Sequence, residues 1–242
     1  MDAEAKILSF GGGKLVLEAD KRLLHEVVEH QVKTVRLVVP DGRSISPRQR
    51  NKIFALSGDI ADFVAGIRHS DKRRQHEFLC ALQMNYLLDI STDSVRRKLT
   101  YHYCQLCGID LFSLSDGAHN AADMSTARDF IDWMIELCIE YGIPCMDTLL
   151  NLCEDTQRYL YACVMHRTCA VCGKHADIHE WDRVGMGRDR EDIHHEGQRV
   201  QPLCRECHNE VHAMGQEPFD KLHHITWIRL TEEMCRKLGW KA

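Results

Sequence analysis

Two Cys-x-x-Cys pairs, Cys169/Cys172 and Cys204/Cys207, stand 31 residues apart in a chain of 242 that carries twelve cysteines and fifteen histidines. No other feature restricts the fold as strongly, because four thiolates presented on two tight turns close one tetrahedral zinc site. The N-terminal stretch MDAEAKILSFGGG has neither a basic start nor an apolar segment of secretory length, and no run of about 18 apolar residues occurs. The expectation is a cytoplasmic protein without a membrane span, in which such pairs are metal ligands rather than disulfides. The gap is longer than the roughly 15–20 residues of a zinc ribbon, so further structure is inserted between the two knuckles. A third pair, Cys104/Cys107, has no companion nearby and follows a helical pattern, so it reads as helical core cysteine.

The insert holds a second cluster, Ile178-His179-Glu180-Trp181-Asp182, and the second knuckle runs directly into His208-Asn209-Glu210-Val211-His212. His208 and His212 are four apart, which on a helix turns both imidazoles to one face. One zinc is already satisfied by the four thiolates, so these histidines imply a second, more open metal site.

Composition sets the rest of the frame. With 44% hydrophobic and 28% charged residues the chain is an ordinary globular one, and its net charge of −5 gives no general attraction to nucleic acid. Phosphate binding therefore needs local patches or a metal. Short strands are expected over 5–10 and 14–18 around Gly11-Gly12-Gly13, another over Val35–Val39, and helices over about 47–66, 72–88, 93–106 and 125–141, with a strand-like stretch at Leu111–Leu114. Ser46-Pro47 is a helix start, and Gly142 with Pro144 a helix stop. The fold class is α+β: a mixed strand and helix domain over 1–162, and a zinc-stabilised module over 163–242, where His, Cys, Gly and Arg replace the long apolar periodicity.

The C-terminal pattern, Cys-x-x-Cys, a His-led dyad, then Leu203-Cys204-Arg-Glu-Cys207-His208 and His212, resembles HNH endonucleases of the ββα-metal type. The stretch from Cys169 through Asp182-Arg-Val-Gly-Met-Gly-Arg188 to His212 is similar to HNH nucleases encoded by phages of Gram-positive bacteria; the resemblance covers about 163–225. It implies structural Zn²⁺ on Cys169, Cys172, Cys204 and Cys207, and a catalytic Mg²⁺ or Mn²⁺ at His179, His208 and His212, with Asn209 as a further contact. The implied activity is metal-dependent hydrolysis of DNA phosphodiester bonds, and Arg183 and Arg188 would hold flanking phosphates.

One position departs from that family. Where the dyad has a general-base His, this chain has Glu180. An imidazole with pKa near 6.5 accepts a proton from water at neutral pH, whereas a carboxylate near 4.3 is a weaker base and repels phosphate. Three readings stay open: Glu180 is the base with a raised pKa, His179 is the base with a neighbouring carboxylate on the metal, or the module binds DNA without cutting it. His194 and His195 are alternative bases. The catalytic set is thus His179, Glu180, His208 and His212. The cutting reading is preferred because an inert site has no evident need for three convergent histidines.

In the first 162 residues basic groups gather in three runs: Arg43, Arg48, Arg50 and Lys52; Arg68, Lys72, Arg73 and Arg74; Arg96, Arg97 and Lys98. The order of strand, helix, strand and the segment from Arg43 to Ala61 resemble the lambda-type phage recombination mediator family (Orf, NinB) over about 1–145. That resemblance implies binding of single-stranded DNA, for which the basic runs offer Arg48, Arg50 and Lys52 as contacts; branched DNA is a further expected partner. It also implies contact with single-strand-binding protein, a homodimer, and a phage protein acting in DNA recombination in the host cytosol. The alternative to a nuclease is a non-catalytic mediator with a degenerate HNH module.

Overall fold

The computed structural model describes residues 5–11, 13–19, 21–33, 43–68, 71–86, 89–115, 117–181 and 194–241. Gly13, at φ +74, lets the chain reverse between β1 (Ala5–Gly11) and β2 (Lys14–Ala19), which pair antiparallel with Gly11 opposite Lys14. The following α1 (Lys21–Glu29) buries none of its residues. The strand expected over Val35–Val39 lies outside the described residues.

Ser46 starts α2 (Pro47–Val64) with a capping box: its hydroxyl accepts from the Gln49 amide at 3.2 Å, and Gln49 Oε1 accepts from the Ser46 amide at 3.2 Å. The Gln49 Nε2 group then donates to the Met124 carbonyl at 2.9 Å. This bond ties the start of α2 to a residue 75 positions further along the chain. Ile53, Leu56, Ile60 and Phe63 of α2 are fully buried, each contributing about 1.5–3 kcal/mol of transfer free energy.

The helix α3 (Lys72–Ala81) ends earlier than its periodicity predicts, because Gln83 turns left-handed at φ 52. Next come α4 (Thr92–Cys107), closed by Gly108 at φ 66, and α5 (Met124–Tyr141), closed by Gly142 at φ 63. A side chain on Gly142 would also strike Arg74 Nη1, 2.5 Å from where its Cβ would stand. The Leu111–Leu114 stretch forms no strand; Ser113 makes a single bridge to Ala121 instead. Cys104 is buried at the end of α4, its thiol facing the Asp110 carbonyl at 3.4 Å.

Beyond the short α6 (Leu149–Leu152) lies α7 (Thr156–Met165), with Leu160, Cys163 and Val164 fully buried. The C-terminal part comprises β3 (Asp177–Glu180), β4 (Arg199–Leu203), α8 (Arg205–Met214), α9 (Gln216–His223), β5 (Ile228–Arg229) and α10 (Glu232–Leu238), with strand order β3-β4-β5, all antiparallel. One side of α7 packs on α5, and α7 also touches β4, β5 and α10, so apolar packing continues across residues 162 and 163. Tyr159 of α7 donates its hydroxyl to the Ala170 carbonyl inside the first Cys knuckle at 2.7 Å. Among the described residues no helix is long and apolar enough to cross a membrane.

Candidate metal centre

The first knuckle is shaped by its own backbone. The Cys169 amide donates to the Lys174 carbonyl at 2.7 Å, and the Gly173 amide to the Cys169 carbonyl at 2.9 Å, a turn that needs Gly173 at φ +72. The Ala170 amide donates to the Pro202 carbonyl at 3.0 Å, which brings the knuckle against the end of β4. There Cys204 caps α8, and Cys207 lies in its first turn. Cys169, Cys172, Cys204 and Cys207 consequently present four sulfurs within 4.8 Å of one another.

This donor set fits zinc. A tetrahedron with Zn–S bonds of about 2.3 Å has edges of about 3.8 Å; Cys172 Sγ lies 3.5 Å from Cys204 Sγ and 4.0 Å from Cys207 Sγ. Burial, together with the neighbouring thiols, raises Cys207 and pushes Cys172 up to about 11. Burial also opposes the Cys204 thiolate, but the Cys207 and Glu206 amides and the adjacent thiols hold it below its ordinary value. Thiols this close do not ionise together without a cation, which is what a bound metal supplies.

The second cluster is built from β3 and α8. His179 is 8% exposed and stands against His208 and His212, with ring centroids 4.7 and 5.5 Å away; the two α8 imidazoles are 4.5 Å apart. All three offer a ligand atom within 4.8 Å of the others. His212 is exposed and His208 half-buried, so the group opens to solvent on one side, as a site with room for substrate requires. Burial lowers the pKa of His179 and of His208, and for His208 the other two imidazoles lower it further. Neutral imidazole, the form that binds an ion or accepts a proton, is favoured.

Glu180 is not part of this cluster. Successive strand residues face opposite sides, and Glu180 pairs with Val200 whereas His179 pairs with Gln201. Its carboxylate is exposed on the face away from His179. His195 packs against Trp240 with ring centroids 4.6 Å apart and faces Gln198 Oε1 at 3.2 Å, also outside the cluster. Asn209 is exposed beside His208.

The basic residues divide. Arg48 is exposed and Arg50 half-buried, but Lys52 is 8% exposed and its ammonium is paired with Glu154. Arg68 bridges Asp59 and Asp62 and donates to the Pro144 carbonyl at 3.0 Å. Arg96 and Arg97 both meet Asp93. Arg183 and Arg188 lie outside the described residues.

The structure also adds polar groups that spacing did not reveal. Gln201 on β4 and Gln216 and Asp220 on α9 gather behind His179, and Gln216 Oε1 lies 3.0 Å from His179 Nε2. Gly215 breaks α8 from α9, so these residues are out of helical phase with His208 and His212 and no single periodicity connects them.

A family described as "Putative HNHc nuclease" matches residues 69–240. No curated protein and no solved structure matches the chain. The match takes in α3 to α10 as well as both ligand groups, four cysteines and three histidines, and extends over more than half of the sequence. The chain belongs to the HNHc nuclease family.

Proposed function

We propose that this protein is a metal-dependent DNA endonuclease whose β3, β4 and α8 form a ββα-metal module, with structural Zn²⁺ on the four cysteines and Mg²⁺ or Mn²⁺ at His179, His208 and His212. The observation that carries this reading is the convergence of three imidazoles from a strand and a helix, next to a closed four-thiolate site. A divalent ion held there would stabilise the charge that develops on the scissile phosphate and the leaving oxygen. The chain's own part is to hold the three imidazoles converging, with burial favouring neutral His179 and His208, and to leave one side open for the phosphate. Proton acceptance is assigned to this imidazole set and not to Glu180, whose carboxylate faces the other way.

Binding of DNA by the helical part is supported by one patch. The Arg96 guanidinium lies 5.4 Å from the Phe54 ring centroid, Phe54 is 42% exposed, and Arg50 stands one turn before it on α2. Cations around an exposed ring suit an unpaired strand, which offers phosphates and bases together. Arg48, Arg50, Arg183 and Arg188 stay in the proposed contact set, and Lys52 does not. The domain division at 162/163 is carried by the change of composition that begins at Cys169; a role in phage recombination, contact with single-strand-binding protein and a homodimer are carried by the resemblance of residues 1–145 to recombination mediators. The test is incubation with single-stranded, duplex and branched DNA plus Mg²⁺ or Mn²⁺, with and without chelator. Cleavage that requires the ion supports the nuclease; salt-sensitive binding without cleavage under any ion supports the non-catalytic mediator.

A further inference from the structure

Behind His179 the hydrogen bonds can be oriented one after another from groups of fixed polarity. The Thr226 carbonyl can only accept, so the Gln201 terminal group facing it at 3.1 Å is the NH₂. That NH₂ also donates to Asp220 Oδ1 at 2.7 Å, leaving Gln201 Oε1 turned to Gln216. Gln216 must then present its own NH₂, which donates to Gln201 Oε1 at 2.7 Å and to Asp220 Oδ1 at 3.0 Å. The remaining Gln216 atom, Oε1, accepts from His179 Nε2 at 3.0 Å. Asp220 is held in place from its other side, where the donor-only Trp181 Nε1 meets Oδ2 at 3.0 Å. Turning either amide over would set oxygen against oxygen at two contacts, so the chain of bonds has one consistent direction.

We propose that Asp220, Gln201 and Gln216 are positioning residues that fix His179 as its Nε2–H tautomer, so that Nδ1 is the nitrogen it has left for an ion or an incoming proton. A histidine ligand is set in this way by the partner of its other nitrogen. Gln201 is fully buried, so the relay lies behind the imidazoles and away from the open side. The ion's part rests on the reading of His179, His208 and His212 as ligands; the tautomer itself does not.

The test is long-range proton–nitrogen correlation NMR of the histidine rings in the full chain, with zinc retained, no second ion and no DNA, at a pH where the rings are neutral. The His179 signal is assigned by its loss in His179→Ala. The expected result is a proton on Nε2 and a lone pair on Nδ1 in wild type. Gln216→Met should give averaged tautomers and bind Mn²⁺ about 10–100-fold more weakly at unchanged zinc content. A purely structural role would lower thermal stability and leave the tautomer untouched. If Gln216→Met does not fold, Asp220→Asn, which keeps the shape but turns a donor toward Trp181, is read in the same way. A proton on Nδ1 in wild type, or an unchanged tautomer in the folded variant, overturns the proposal. If the tautomer shifts and Mn²⁺ affinity does not, the ion's part is overturned. A wild type with Nε2–H that cuts no DNA would sink the nuclease reading and leave this one standing.

Discussion

His179 and Glu180 are neighbours in sequence and face opposite sides of β3: His179 stands against the α8 imidazoles, while the Glu180 carboxylate is exposed on the other face. The residue that stands second in the His-led dyad is thus directed away from the histidine cluster. Under the proposed nuclease reading, chemistry at the cluster falls to the three histidines and whatever they hold.

The four sulfurs predict about one tightly held zinc per chain, measured by elemental analysis of protein purified without added metal. Cys204→Ser should lose it and open the module, with fluorescence of Trp181, Trp227 and Trp240 shifting red. A folded, zinc-free wild type would contradict the assignment.

Lys52 and Arg50 lie two residues apart on α2 and should respond differently. Lys52→Met leaves the Glu154 carboxylate, 21% exposed, without its cation and should cost about 2 kcal/mol of stability while DNA affinity changes less than about 2-fold. Arg50→Ala should weaken DNA binding and reduce the salt slope by about one counterion. Equal losses of binding in both variants would show that Lys52 reaches the DNA.

Asp132 gives a pH signature. Burial pushes its carboxyl up to about 6 from 3.8, although Oδ1 accepts from the Glu154 and Asp155 amides at 2.9 and 3.3 Å; Oδ2 is buried with no partner among the described residues. Between those two values the native state binds more protons than the unfolded one, so this group's contribution to stability falls as pH rises through the window. Asp132→Asn should therefore gain on wild type by roughly 1–2 kcal/mol between pH 5 and pH 8, read from urea unfolding. A pH-independent difference would show that Asp132 titrates normally.

What could be read from the sequence was local. Ser46-Pro47 and Gly142 mark helix ends because caps act within one turn, and the candidate Cys and His ligands on the knuckles and on α8 announce themselves by offsets of three and four. What could not be read depends on distant partners. Lys52 sits in a basic run, but its charge meets Glu154, which is 102 positions away. Leu111–Leu114 has a strand's composition, but among the described residues its pairing is a single bridge from Ser113 to Ala121. The Gln201, Gln216 and Asp220 relay comes from a strand and a helix separated by α8, in residue types with no motif of their own.

The most direct measurement is ion-dependent DNA cleavage by wild type, Glu180→Gln, His179→Ala and His212→Ala, each checked for zinc content. Wild type should cut with Mn²⁺ or Mg²⁺ and stop with chelator. Glu180→Gln should stay within about 10-fold of wild type, and His179→Ala should lose about 10²–10⁴-fold. His212→Ala should fall sharply, with partial recovery at higher Mn²⁺. A 10²-fold loss in Glu180→Gln would move proton acceptance back to that carboxylate. Cleavage that survives both His179→Ala and His212→Ala would contradict the account.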